Sequence, residues 1–157
     1  MRAIGSNVFG YSFASFMNDV EWRVRFLAAT VKEPDFVWPG LLILDLPDGI
    51  AVESFAIGQT AEKHERLVAE LVTILRGRPV RYFAWVMPCL REQDSRQVEC
   101  LLIVFGTRGR AEAAIAEWRR AEAEAPRLGR FSRGAFGSGA RRVSGRFVEP
   151  LLEALDS

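Results

Sequence analysis

Two apolar runs decide the fold of this chain, namely Val80-Arg-Tyr-Phe-Ala-Trp-Val-Met87 and Val98-Glu-Cys-Leu-Leu-Ile-Val-Phe105. Both runs are apolar on alternate and on intervening positions, which is typical of strands that are covered on both faces. The polar residues 91–97 between them predict a hairpin loop or a slightly longer connection. We therefore expect two central strands of a sheet, covered by helices on one face and by further helices or a partner on the other.

An Asp-Gly turn upstream predicts a second hairpin. The runs Leu41-Leu-Ile-Leu-Asp-Leu46 and Ile50-Ala-Val-Glu-Ser-Phe55 flank Pro47, Asp48 and Gly49. Gly49 can adopt the positive φ that such a turn needs, and Pro47 presets its own φ. The pattern predicts two antiparallel strands of about six residues each, and it makes Asp48 a turn residue rather than a catalytic acid.

Two segments before the central runs have the three-four apolar spacing of amphipathic helices. The first covers residues 12–32, with Ser12 as its cap and Pro34 as its stop, because the residue before a proline avoids helical torsions. The second covers residues 61–76 and follows a cap at Thr60. Both segments are expected to pack on the sheet.

The end of the chain predicts a basic segment followed by a closing helix. Residues 126–146 hold glycines, serines and arginines without an acidic residue, which is typical of a flexible, irregular surface segment. Residues 146–155 carry the apolar stripe of a helix. Pro150 is tolerated only near a first turn, so this helix is expected to begin close to Glu149.

Residues 110–120 fit two structures equally well. Their mostly good helix formers place Ala111, Ala114, Ile115 and Trp118 at helical spacing. The preceding Gly106-Thr-Arg-Gly109 instead suits a hairpin turn into a third strand, and apolar residues also alternate after it. Both structures stay open on the sequence alone.

Composition indicates one domain, residues 1–157, with enough apolar material for a core. The chain is 49% hydrophobic and 11% aromatic. Its 21 basic and 20 acidic residues leave a net charge of +1, so no global field favours nucleic acid or a membrane surface. No apolar run approaches the roughly 18 residues of a membrane span, and the first residues do not resemble a secretory signal. We expect a cytoplasmic protein without a membrane partner.

Few residues are candidates for catalysis or metal binding. His64 is the single histidine, and the common zinc motifs need paired histidines or paired cysteines at close spacing. Cys89 and Cys100 sit in or beside apolar strand-like runs, which favours reduced core thiols, with a bridge possible only if the hairpin register brings them face to face. A Cys89 nucleophile with a His64 base has no supporting pattern. We therefore predict no catalytic residue, no metal and no cofactor.

The basic segment supplies the candidate binding residues. Guanidinium groups bind phosphates, and aromatic rings stack on the bases of single strands. The residues of these two kinds are Arg127, Arg130, Arg133, Arg141, Arg142, Arg146, Phe131 and Phe136. They predict a possible contact with nucleic acid.

With residues 110–120 taken as a strand, the order of the elements is helix, strand, strand, helix, strand, strand, strand and terminal helix, and it resembles that of roadblock and profilin-like domains. The resemblance spans nearly the whole chain. It implies an α+β fold in which a five-stranded, mostly antiparallel sheet packs against an N-terminal, a middle and a C-terminal helix. It also implies a dimerising scaffold or regulator. Residues 96–104, the glycine turn and residues 145–148 are in addition similar to small uncharacterised bacterial domains of unknown function.

Three functions remain to be distinguished. The first is a non-enzymatic interaction domain that self-associates as a homodimer, because some of the four tryptophans are expected on the surface and such residues are enriched at interfaces. The second is nucleic-acid binding through the basic segment. The third is an enzyme with a pocket between the first helix and the turn at residues 38–40.

Overall fold

The computed structural model describes residues 11–121, 123–135 and 148–156. The fold is α+β, as predicted, with three helices and one antiparallel sheet in the described residues. The elements in chain order are α1 (Phe13–Ala29), β1 (Gly40–Leu46), β2 (Gly49–Phe55), α2 (Ala61–Gly77), β3 (Tyr82–Gln93), β4 (Arg96–Thr107), β5 (Arg110–Arg119), β6 (Arg127–Leu128), β7 (Ser132–Ala135) and α3 (Val148–Asp156). Within these described ranges the sheet has seven strands instead of the expected five. Their order is β2-β1-β3-β4-β5, and β6 and β7 both pair with β5.

The central position of β3 and β4 is confirmed. β3 pairs with β1 on one side and with β4 on the other, and β4 pairs in turn with β5. Phe83, Trp85, Val104 and Phe105 have no exposed surface because helices cover both faces of these strands. The two strands are thus apolar on successive positions because both of their faces are buried, as expected.

The helices divide between the two faces of the sheet. Residues of α2 and α3, including Leu71 and Leu151, share a core with Leu42 and Trp85 on one face. On the other face, α1 packs its stripe of Phe13, Phe16, Met17, Val20, Val24 and Ala28 against the sheet. A single helix therefore covers that second face within the described part of the chain. No described helix is long and apolar enough to cross a membrane.

Local signals fix the first helix and the first hairpin. α1 begins where predicted, because the side chain of Ser12 accepts a hydrogen bond from the backbone N–H of Ser15. It ends at Ala29, earlier than expected. In the hairpin, Leu46 pairs with Gly49, whose φ of 141° confirms the turn that the Asp-Gly signal predicted.

β3 and β4 form a hairpin, as predicted, but its loop is shorter than residues 91–97, because both strands continue through most of that segment. Only Asp94 and Ser95 form the turn, with φ of 51° and 63°. Positive φ at both central residues matches the right-handed twist of the flanking strands. Residues 90–99 therefore make a two-stranded arm, since their register pairs them only with one another.

Residues 110–119 form β5, which resolves the open choice between helix and strand. The buried strand β4 needs a partner for its backbone groups along that edge, and β5 supplies it from Arg110 opposite Thr107 to Glu117 opposite Cys100. The turn between the two strands holds Gly109 at a φ of 72°. Tertiary pairing here overrides the helix propensity of the alanines.

Part of the basic segment is regular. The sequence predicted irregular structure over residues 126–146, but Arg127–Leu128 and Ser132–Ala135 are short strands that pair with β5. An open edge of β5 explains this, because its unpaired backbone groups accept a short partner strand. Residues 136–146 lie outside the described part of the chain, so the flexibility expected for them stays a prediction.

Candidate functional site

The arginine segment is only partly available as a binding site. Arg127 and Arg130 are exposed. Arg133 is committed to α1, since its guanidinium donates to a carboxylate oxygen of Glu21 at 2.7 Å and to the side chain of Asn18 at 3.1 Å. Phe131 is half-buried and packs against the core under α1. Arg141, Arg142, Arg146 and Phe136 lie outside the described residues.

The outer side of α1 carries two large exposed rings. Trp22 is 66% exposed and Phe26 is 58% exposed. The rings stack on each other with centroids 5.5 Å apart and planes 16° apart. Residues four apart on a helix lie on one side of it, one turn above the other. We call this pair the α1 aromatic surface.

Two opposite charges flank the α1 aromatic surface. Asp19 precedes Trp22 by three residues and Arg25 follows it by three, and both are exposed. The Tyr11 hydroxyl donates to one carboxylate oxygen of Asp19, and Arg25 donates to the carbonyl oxygen of Gly129 at 2.9 Å. A carboxylate and a guanidinium each have further hydrogen-bonding capacity. Both side chains are thus oriented by their neighbours while their charges remain at the surface.

Contacts with distant parts of the chain hold α1 on the sheet. The ion pair of Arg133 with Glu21 joins β7 to the middle of the helix. The Tyr82 hydroxyl of β3 donates to the carbonyl oxygen of Tyr11, just before the helix, at 3.1 Å. These tethers and the buried stripe fix which side of the helix faces outward. The α1 aromatic surface is therefore a feature of the folded domain.

A cavity of about 650 Å³ lies beside β3, and its wall includes Trp38, His64, Cys89 and Glu99. The structure thus brings together the His64 and Cys89 that the sequence left unconnected. His64 lies in α2 and contacts the loop before that helix, with Nε2 2.5 Å from the carbonyl oxygen of Gly58. Glu99 takes two hydrogen bonds from Arg120, at 2.7 and 2.9 Å.

The thiol of Cys89, which lines this cavity, is not activated as a nucleophile. Burial, and then the nearby Cys100, raise the pKa of Cys89 to about 12, although Arg91 lowers it. Cysteine nucleophiles in enzymes have lowered pKa values because a cation or a helix N-terminus stabilises the thiolate. The Cys89–His64 arrangement therefore does not match that of a cysteine hydrolase.

The expected pocket between the first helix and residues 38–40 is divided between two cavities. Trp38 and Pro39 line the cavity beside β3. The last turn of α1 lines another, of about 580 Å³, together with Lys32 and Arg127. The described residues contain no cluster of three or more histidine, cysteine, aspartate or glutamate side chains that could hold a metal ion.

Sequence reasoning placed a tryptophan on the surface without saying which one. Trp38, Trp85 and Trp118 are buried, and Trp22 is the exposed one. Sequence reasoning missed Phe26. The helical periodicity of this segment places Trp22 and Phe26 outside the buried stripe, so it could have identified both. Leu27 also fits the three-four apolar spacing predicted for residues 12–32, but it is 43% exposed.

Comparison with known proteins gives no relative from which to transfer a function. No family model, curated protein or solved structure matches this chain.

Proposed function

We propose that this chain is a non-enzymatic interaction domain that self-associates as a homodimer through the α1 aromatic surface. The observation that carries the proposal is the stacked pair of Trp22 and Phe26, two large rings left mostly in water on a helix whose other side is fully packed. A scaffold or regulatory role fits such a domain.

Burial of these rings supplies a driving force for association. Each square ångström of apolar surface removed from water contributes about 25 cal/mol, and large aromatic residues dominate the binding energy of protein interfaces. The two rings already stack, and α1 is fixed by its tethers, so little conformational freedom remains to be lost when a partner binds.

Charge complementarity favours a second copy of this chain as the partner. A symmetric dimer brings the same surface of both copies together. If two α1 helices pack antiparallel around Trp22, Asp19 of one copy lies opposite Arg25 of the other, and symmetry repeats the pair. Opposite charges at the same level across an interface favour this arrangement.

Nucleic-acid binding through the basic segment remains the alternative. Its described residues support it less, because the positive charge of Arg133 is already paired with the carboxylate of Glu21. Exposed Arg127 and Arg130 alone provide few phosphate contacts.

The proposal is tested by the mass of the protein in solution at tens of micromolar. We expect light scattering to give twice the chain mass for the parent and the single mass for the Trp22→Ser/Phe26→Ser variant. Each interface tryptophan or comparable anchor contributes about 2 kcal/mol or more, so the dissociation constant should rise by at least about 30-fold.

The matched control removes exposed apolar side chains elsewhere. Val37 and Leu90 are 77% and 58% exposed and lie away from α1. The Val37→Ser/Leu90→Ser variant should keep the dimer mass. A parent that is monomeric at tens of micromolar, or a dimer that survives the double change on α1, would contradict the proposal.

A further inference from the structure

Cys89 and Cys100 lie directly opposite each other across β3 and β4. Side chains of opposite residues in an antiparallel pair share one face, and Cys89 packs into the core that α2 and α3 form on its face. Opposite residues of antiparallel strands have Cα atoms about 4.5 to 5.5 Å apart. Disulfides span Cα separations of about 4.4 to 6.8 Å. The register therefore supplies the geometry that the sequence could not decide.

We propose that Cys89 and Cys100 form an intramolecular disulfide by exchange with a small-molecule disulfide such as oxidised glutathione. The Cys89 thiolate attacks one sulfur of the oxidant, which gives a mixed disulfide and releases one glutathione thiolate. Cys100 Sγ then attacks Cys89 Sγ and releases the second. Two protein thiols are oxidised, one oxidant disulfide is reduced to two thiols, and the two protons pass to the departing thiolates.

The order of attack follows from access. Cys89 lines the cavity of about 650 Å³ beside β3, so a small oxidant can reach it. Cys100 has no exposed surface, and its thiol lies 3.5 Å from the carbonyl oxygen of Val98. Cys89 therefore takes the oxidant, and Cys100 resolves the mixed disulfide from inside.

The electrostatics indicate a structural bond rather than a catalytic one. Burial raises the pKa of both thiols, although Arg91 opposes the shift at each. Catalytic disulfides depend on a stabilised thiolate, which these surroundings do not provide. Below its pKa of about 12, the thiolate fraction of Cys89 grows about tenfold per pH unit, so exchange should be slow at pH 7 and faster at pH 9.

The bond would sit where the arm leaves the sheet. The last residue of β3 that pairs with β1 is Val86, and Cys100 is the β4 residue that pairs with Glu117 of β5. Beyond the two cysteines, residues 90–99 pair only with each other. A covalent link at this base would fix the orientation of the arm, in addition to the cross-strand pairing and the ion pairs of Arg91 with Glu117 and of Glu99 with Arg120.

The test incubates the native, reduced chain with oxidised glutathione at pH 9 and follows free thiols and intact mass. We expect both thiols to disappear, with the mass falling by two hydrogens and no glutathione retained. Cys100→Ser should stop at the glutathione adduct on Cys89, because the resolving thiol is gone. Cys89→Ser should react much more slowly, because Cys100 is enclosed.

The parent result decides the proposal even if a variant fails to fold. Two persistent thiols, a stable glutathione adduct on the parent, or a disulfide-linked dimer on a non-reducing gel would each overturn it. Near-ultraviolet circular dichroism recorded during the reaction checks that the chain stays folded, and loss of that signal before the thiols react would also overturn it. The outcome does not depend on self-association through α1.

Discussion

Replacing Trp85 with alanine will lower the free energy of unfolding by about 3–5 kcal/mol, the usual loss for a large buried aromatic residue. Trp85 has no exposed surface and lies in the central strand β3, with Phe55 at a ring distance of 6.2 Å. The backbone of Gly40 approaches so closely that a Cβ there would lie 2.5 Å from the indole ring. The cavity left by alanine would thus open in the core between the sheet and the helices α2 and α3.

Chemical denaturation measures this loss, which is a large share of the roughly 5–15 kcal/mol that stabilises a typical domain. Trp22→Ala is the matched control, because it removes the same side chain from an exposed position. It should change the stability of the monomer by no more than about 0.5 kcal/mol. A Trp85→Ala variant as stable as the parent would mean that β3 is not central.

Phe16→Ala is the second change with a large expected effect, again about 3–5 kcal/mol. Phe16 is fully buried in the stripe that α1 packs against the sheet, with its ring 5.5 Å from that of Tyr82. α1 is the one helix on that face among the described residues, so no other helix covers the cavity.

Phe26→Ala is the control on the same helix. Its ring is mostly exposed, so denaturation of the monomer should detect a change within about 0.5 kcal/mol. The comparison reports which side of α1 faces the sheet. A costly Phe26→Ala beside a neutral Phe16→Ala would show that the helix is rotated, and the α1 aromatic surface would then not exist.

The central strands were predictable because their cause is local in the sequence. A run such as Val98 to Phe105 is short and apolar on successive positions, a pattern typical of a strand covered on both faces. The same holds for the turn at Gly49, where one residue type meets a backbone requirement. The helix caps at Ser12 and Thr60 follow for a similar reason.

Other features depend on residues far apart in the chain. The alanines of β5 favour a helix by themselves, and only the open edge of β4 makes them a strand. The turn at Asp94 and Ser95 was hidden, because neither residue is a glycine that would mark positive φ. The ion pair between Glu21 and Arg133 joins residues that no sequence pattern connects. It also removes one predicted phosphate ligand.

The residue types of the candidate sites were predictable from the sequence, but their positions in space were not. The periodicity of α1 identified its buried stripe, which leaves Trp22 and Phe26 on the outer side. Their stacking and their exposure depend on how the helix is set on the sheet. The opposition of Cys89 and Cys100 likewise required the register of β3 and β4, which the length of the turn decides.

The distance between two copies of α1 tests the proposed dimer most directly. A spin label at Ala29→Cys, with Cys89→Ala and Cys100→Ala to remove the native thiols, places one probe per chain on an exposed position seven residues after Trp22. In an antiparallel pair centred on Trp22, the two Ala29 positions lie about 21 Å apart along the helix axes and about 8–10 Å across them.

Double electron–electron resonance at tens of micromolar should therefore give one distance distribution between about 20 and 30 Å, allowing for the label. The same labelled chain carrying Trp22→Ser should lose the dipolar signal. No signal in the unsubstituted labelled chain, or a distance beyond about 40 Å, would contradict self-association through the α1 aromatic surface.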